Sequence, residues 1–243
     1  MQKEWQEYSA IFKELFGLEQ SPVGVSLIKG LCPEDKIKKV RICRAILDAA
    51  AGKTFKICKE NNACFGAGWH LGFHRLDNPK VEQMIKKFVV EGEKLFSSYQ
   101  ALDNLISQMG KVPDNSEAYF ELSPLDKSDL KPQLVLFVLN PEQACRLLTL
   151  VTFIDGVMPE IKIGGPTCRM AIMYPLLTGK TNLSFYDYTA RKLCNVEKDK
   201  LVISIVYDNI KAVIESIDKC SAGRAKIEYP QEFREFLQKR LVK

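Results

Sequence analysis

Two stretches constrain this chain more than any others: "LVLFVLNPEQACRLL" from Leu134 and "VISIVYDNIKAVI" from Val202. In each, an unbroken apolar run leads through a polar residue, Asn140 or Asp208, directly into a helical pattern with Ala at the same offset, Ala144 and Ala212. A strand that is apolar on both of its faces must be covered on both, and a helix that follows it at once is the nearest cover. Pro141 after Asn140 suits the first helical position, where a missing N–H costs nothing. The pair reads as a weak internal strand–helix repeat. It predicts an α/β or α+β fold, a mixed sheet covered by helices, with strands at about Val23–Ile28, Tyr119–Leu122, Leu134–Leu139 and Val202–Tyr207.

The rest of the chain supplies those helices. Trp5, Tyr8, Ile11, Phe12, Leu15 and Phe16 recur at helical spacing and are followed by Gly17, a C-cap residue. "VRICRAILDAAAGK" from Val40 is helical by composition and ends at Gly52, which puts Cys43 in its first turn or two. "NPKVEQMIKKFVVEGEKLF" from Asn78 offers an Asn cap, a first-turn Pro and apolar Val81, Ile85, Phe88 and Val89. The polar, turn-rich "MGKVPDNSEA" then separates helix-like from strand-like sequence, so a single domain is expected over 1–243 with a subdomain boundary allowed near 110–118.

With 243 residues, 46% of them hydrophobic, the chain can bury a sizeable core without staples. No apolar run approaches the roughly 20 residues of a membrane helix, and no basic segment followed by an apolar run opens the sequence. A cytoplasmic protein without a membrane partner is therefore expected. In that setting the eight cysteines read as reduced thiols. The net charge of +5 comes from dispersed lysines, and the densest basic stretch, "DKIKKVR" from Asp35, has no interleaved aromatics, so no nucleic-acid partner is expected.

Several enzyme classes lack material. "LLTGKTN" from Leu176 has a Gly-Lys-Thr but follows a helix and lacks the upstream glycine of a phosphate loop. No Gly-x-Ser-x-Gly elbow is present, and both histidines, His70 and His74, fall in one segment. Their i, i+4 spacing would put them on one helix face as metal ligands, yet no Glu stands between them and the Cys64-x5-His70 gap is too short for a finger, so packed or partly exposed histidines are the better reading.

The cysteines are more informative. In "NNACFGAGWHLGFH", Asn61 or Asn62 is a candidate N-cap that would put Cys64 in the first turn of a helix, where the dipole favours a thiolate. Gly66, Ala67 and Gly68 are small enough to admit a cofactor or another backbone. "GGPTCRMAIMYPLL" repeats the plan: a Gly-Gly turn, Pro166, then Cys168 and Arg169 at the start of a helix from Thr167 to about Leu177. The ordinary reading of each thiol is a small buried hydrophobe. In "SFYDYTARKL", Asp187 and Arg191 are evenly spaced and on a strand would share a face, with Arg191 reaching toward the Cys168 helix start.

Taken together, "SPVGVSLI", "ICRAILDAAAGK", "CFGAGWHLGF" and above all "CRMAIMYPLLTGKTNLSFYDYTARK" resemble the archaeal and bacterial family of domain of unknown function 169, over about Ser21 to Ile217. Phe65 departs from the proline often found there. The resemblance implies no established activity. It singles out Cys43, Cys64 and Cys168, with Asp187 and Arg191, and leaves Cys58, Cys145, Cys194 and Cys220 as structural. One nucleophile does not need three thiols from three helices, whereas a soft metal centre does. The expectation is an iron–sulfur cluster, 4Fe–4S, held by Cys43, Cys64 and Cys168, with Arg169, Asp187 and Arg191 around it. The fourth iron would be left to Cys58, His70, His74 or an external ligand, and an electron-transfer partner or a small-molecule ligand would follow. Two alternatives use the same helix starts: a metal-free thiol enzyme and a module that binds an anionic small molecule.

Overall fold

The computed structural model describes residues 3–33, 38–74 and 79–241. Six strands form one sheet: β1 (Val23–Lys29), β2 (Phe55–Ile57), β3 (Ala118–Pro124), β4 (Leu134–Leu139), β5 (Asn182–Phe185) and β6 (Leu201–Val206), in the order β2-β3-β1-β4-β6-β5. All five pairings are antiparallel, so the sheet is not mixed as expected. The helices are α1 (Glu4–Phe16), α2 (Ile42–Ala50), α3 (Phe65–His70), α4 (Pro79–Lys87), α5 (Tyr99–Gln108), α6 (Pro141–Thr152), α7 (Tyr174–Thr178), α8 (Tyr188–Cys194), α9 (Ile210–Ser216) and α10 (Gln231–Leu241). None of them is long and apolar enough to cross a membrane.

The period-two alternation of a strand distributes β4 and β6 between two cores. Val135, Phe137 and Leu139, with Leu201, Ile203 and Ile205, pack under α1, α6 and α9. Leu134, Leu136 and Val202 face the other way, against α2, α3 and the segment Cys168–Met173. This is why both strands read as continuously apolar. The strand–helix repeat survives in order but not in detail. Asn140 forms a reciprocal capping box with Gln143 and Ala144 is buried, whereas Asp208 sits in a 3-10 turn without capping α9 and Ala212 is exposed.

The 110–118 connection is closely held. Asn115 is buried, donates from Nδ2 to the Leu71 carbonyl at 2.7 Å and from its backbone N–H to the Gly72 carbonyl at 2.8 Å. Strands from both sides of it share the sheet, since β1 pairs with β3 and β4. The helix expected after Asn78 starts at Pro79, with Asn78 itself outside the described residues. It contributes little core: Ile85 is its one buried residue among those described, and Phe88 is largely exposed.

Candidate functional site

The thiol-bearing face begins with a helix that cannot be regular. Residues Thr167 to Thr178 are helical throughout, but Arg169–Met173 takes a π register. Pro175 has no N–H to give to Ala171 four residues earlier, and the freed Ala171 carbonyl is taken by the Ser204 hydroxyl of β6 at 2.6 Å. Asn182 of β5 takes the Met170 carbonyl in the same way, at 2.9 Å. The widened turn holds Arg169 inside the protein.

Arg169 is 1% exposed, yet it has no ion pair among the described residues. Its Nη2 donates to the carbonyls of Met109 and Gly110, the latter at 3.0 Å, while Nε and Nη1 have no partner. A guanidinium stays protonated at any physiological pH, so three N–H groups and a positive charge are buried unsatisfied. That is costly unless an anion completes the site. Tyr186 presents the same problem: it is 2% exposed, and its hydroxyl is unpartnered.

Around these orphaned donors lie the thiols. Cys43 is the second residue of α2, Cys64 is the N-cap of α3, and Cys168 precedes the π turn. All three join one core cluster, Cys168 buried and the other two half-buried. Burial pushes the Cys43 thiol far above its ordinary pKa, with further upward contributions from Cys168, Asp187, Cys194 and Cys64. Cys168 is raised by burial and by Cys64 and Asp187, opposed by the N–H groups of Arg169 and of Cys168 itself, which point at its sulfur. The three thiols are thus electrostatic neighbours within one cluster. Among the described residues no three His, Cys, Asp or Glu are placed to hold a single metal ion.

Asn62, not a cap, shapes the Cys64 segment: its Oδ1 accepts from the Cys64 N–H at 3.2 Å and its Nδ2 donates to the Cys64 carbonyl at 2.6 Å. Phe65 turns outward, 44% exposed, onto a surface hollow it shares with Phe73 and His74. The space at Gly68 is filled by the His74 ring, where a Cβ would clash, while Gly66 has open space beside it. α3 ends at His70, so the two histidines do not share a helical face. His70 is buried, and desolvation lowers its pKa to about 3, with Arg169 adding to the fall and Asp187 opposing it.

Asp187 and Arg191 are not on a strand. β5 stops at Phe185, Asp187 caps α8 by accepting from the Ala190 N–H at 2.8 Å, and its other oxygen accepts from the N–H and hydroxyl of Thr167 at 2.9 and 2.7 Å. Asp187 thus pins the start of α8 to the residue before Cys168. Arg191 has no bond to the Cys168 helix start among the described residues. Its guanidinium donates to the carbonyls of Tyr186, Glu197, Lys198 and Lys200 at 2.8–3.2 Å, closing the α8–β6 loop, which corrects the anion-holding role expected of it.

The other cysteines divide. Cys58 bonds to Asn61 through its N–H at 2.9 Å and through its sulfur at 3.6 Å, so it is occupied away from the three. Burial, with Cys58 as neighbour, takes the Cys32 thiol up to about 12. Cys145 is exposed, and Cys220 is buried in the opposite core. Cys194, the last residue of α8, is 3% exposed and lies outside the core cluster that the three join. Reading "DYTARKLCN" as an Asp-capped helix ended by an αL Asn would have found α8 and put Cys194 at its end.

A family model described as an uncharacterised ArCR, DUF169, matches residues 11–216. The chain belongs to that family. No curated protein and no solved structure matches it. The matched span ends before α10 and contains every residue of the DUF169 thiol face described above.

Proposed function

We propose that this DUF169 chain binds an iron–sulfur cluster, a 4Fe–4S centre, on Cys43, Cys64 and Cys168, and uses it for redox or cluster-dependent chemistry. The observation that carries the reading is the buried, unpaired guanidinium of Arg169 beside thiols that three separate helices bring to one face. A thiolate-ligated cluster carries net negative charge and accepts hydrogen bonds at its sulfurs, so it would satisfy that guanidinium. It also suits thiols that form no single-ion site among the described residues. Each thiolate binds a different iron, and sulfurs around a cubane lie on the order of 6–7 Å apart, wider than around a single zinc.

The metal-free thiol enzyme is the weaker alternative. Burial holds Cys43 and Cys168 above their usual range, the reverse of an activated nucleophile, whereas metal binding displaces the thiol proton outright. A module that binds a small anion at Arg169 is the alternative that the orphaned donors also favour. Anaerobic reconstitution with ferrous iron and sulfide separates them. The cluster reading expects about four irons and four sulfides per chain with visible thiolate-to-iron absorption, lost together in the Cys43, Cys64 and Cys168 to Ser variants. Protein that stays colourless, with iron well below one per chain, would sink it.

A further inference from the structure

We infer that the surface hollow beside α3 is a second site, one that takes a small monocarboxylate with an aromatic tail. The hollow measures about 370 Å³ and is lined by Lys59, Phe65, Phe73, His74, Val81 and Ser116. Sites for small ligands start at about 300 Å³, are mainly apolar, and carry a few polar groups that orient the ligand. None of the lining residues is a proposed cluster ligand, so the inference does not depend on the cluster reading.

Four parts of the chain wall the hollow, and close contacts fix three of them together. Gly72 turns with φ +82°, and a Cβ there would lie 2.2 Å from the Pro113 carbonyl oxygen. Only glycine lets the 113–116 stretch approach so closely. Asn115 then ties that stretch to the Leu71 and Gly72 carbonyls, which sets Ser116 beside Phe73 and His74. The His74 ring is seated by a second glycine: a Cβ on Gly68 would come within 2.4 Å of its Cδ2, and its centroid lies 6.1 Å from that of Phe65. Phe73 is buried and braced edge-on by Phe120 at 5.7 Å, whereas Phe65 is left open to solvent. Val81 of α4 completes the apolar lining, and Lys59 stands at its edge.

The polar groups choose the head of the ligand. Among the described residues Lys59 has no ion pair and no carboxylate lines the hollow. Desolvation first, and Lys59 second, lower the His74 pKa, while Glu60 opposes them. A neutral imidazole and the Ser116 hydroxyl can each donate one hydrogen bond, and the Lys59 ammonium adds the charge, which together suit a carboxylate. One cation matches one negative charge. Glu60 is exposed and outside the lining, so water screens it from the bound anion. The apolar walls leave room for a phenyl ring against Phe65, Phe73 and Val81.

The test is a ligand-detected NMR titration of the purified full chain, without iron reconstitution, using phenylacetate as the probe. Phenethyl alcohol, phenethylamine and acetate are the comparisons. Phenylacetate is expected to bind with Kd of about 1 mM, the range open to a ligand of this size. Phenethyl alcohol should bind about fivefold more weakly, and phenethylamine and acetate should not saturate. Lys59→Gln should bring phenylacetate down to the level of the alcohol. Val81→Trp, which fills the hollow, should abolish binding. Phe65→Ala, at an exposed position that the fold does not need, should weaken it at least threefold and keeps the test decisive if the tryptophan variant fails to fold. Phenethylamine binding as tightly as phenylacetate would overturn the carboxylate assignment. Phenylacetate affinity unchanged in Phe65→Ala and in Val81→Trp would overturn the site, as would no binding of phenylacetate at a concentration about tenfold above the expected Kd.

Discussion

The two faces of the sheet are built from the same strands by opposite rules. Under α1, α6 and α9 the core is conventional: Phe12 meets Phe137 edge-on at 4.9 Å, and Leu139, Leu147, Ile203 and Ile205 fill the space around them. Against α2, α3 and the π turn the core also holds Val25, Phe120, Leu122 and Ile172, but thiols, a cation, a phenol and an imidazole are buried with them. One face is optimised for stability. The other carries unsatisfied groups, and those are the ones to test for function, because folding alone gives no reason to retain them.

The sharpest way to break that contrast is to damage the conventional face. Phe137→Ala removes a side chain with no exposed area and leaves a cavity against Phe12, at a cost of about 3–5 kcal/mol in chemical denaturation. The folded fraction should still take up iron at the wild-type ratio. Loss of iron from protein that remains folded would mean the two faces are not independent.

Acid should separate the faces next. The pKa of His70 falls from 6.5 to about 3 on folding, so it stays neutral in the native state while the unfolded chain takes up a proton. The stability this gives is complete above about pH 6.5 and is lost as pH falls toward 3, amounting to about 2 kcal/mol by pH 5. Denaturation curves for wild type and His70→Gln at pH 7 and pH 5 measure it: the variant should lose about 2 kcal/mol less than wild type over that interval. Equal losses would place His70 in a wetter site than the one described.

How much of this the sequence revealed differs between the faces as well. The conventional face was legible because periodicity reports burial directly: β4 was delimited to the residue, and α1 ended at Gly17 as its αL cap requires. The thiol face was legible only as a set of helix starts. "SFYDYTARK" misled because Phe185, Tyr186, Tyr188 and Thr189 favour strands, whereas Asp187, as a cap bonded to Thr167, turns the chain into a helix. That error aimed Arg191 at the Cys168 helix start, whereas its guanidinium is bonded to four backbone carbonyls. No local pattern announces that Arg169 is buried without a counter-ion, since that follows from Pro175 and from the distant Ser204 and Asn182.

Arg169→Met reverses the usual sign of a core substitution. Removing a buried charge that has no ion pair among the described residues should leave the metal-free protein as stable as wild type or more stable, by about 1–2 kcal/mol, although the carbonyls of Met109 and Gly110 lose their donor. Iron uptake should fall at the same time. A variant that is strongly destabilised without iron would show that the guanidinium is satisfied within the fold, and the main support for an anionic occupant would go.

Tyr186→Phe is the smallest change and the most discriminating. The hydroxyl is buried without a partner, so deleting it should be neutral or stabilising by no more than about 1 kcal/mol in the metal-free protein, measurable as an unchanged or slightly raised denaturation midpoint. With iron and sulfide bound, the lost O–H donor would no longer stabilise the electron-rich reduced state, and the midpoint potential should drop while the iron count stays the same. A hydroxyl that serves only the fold predicts the opposite pair of results: a destabilised metal-free protein and an unmoved potential. The two measurements together decide whether the unsatisfied face is a binding site or merely an imperfect core.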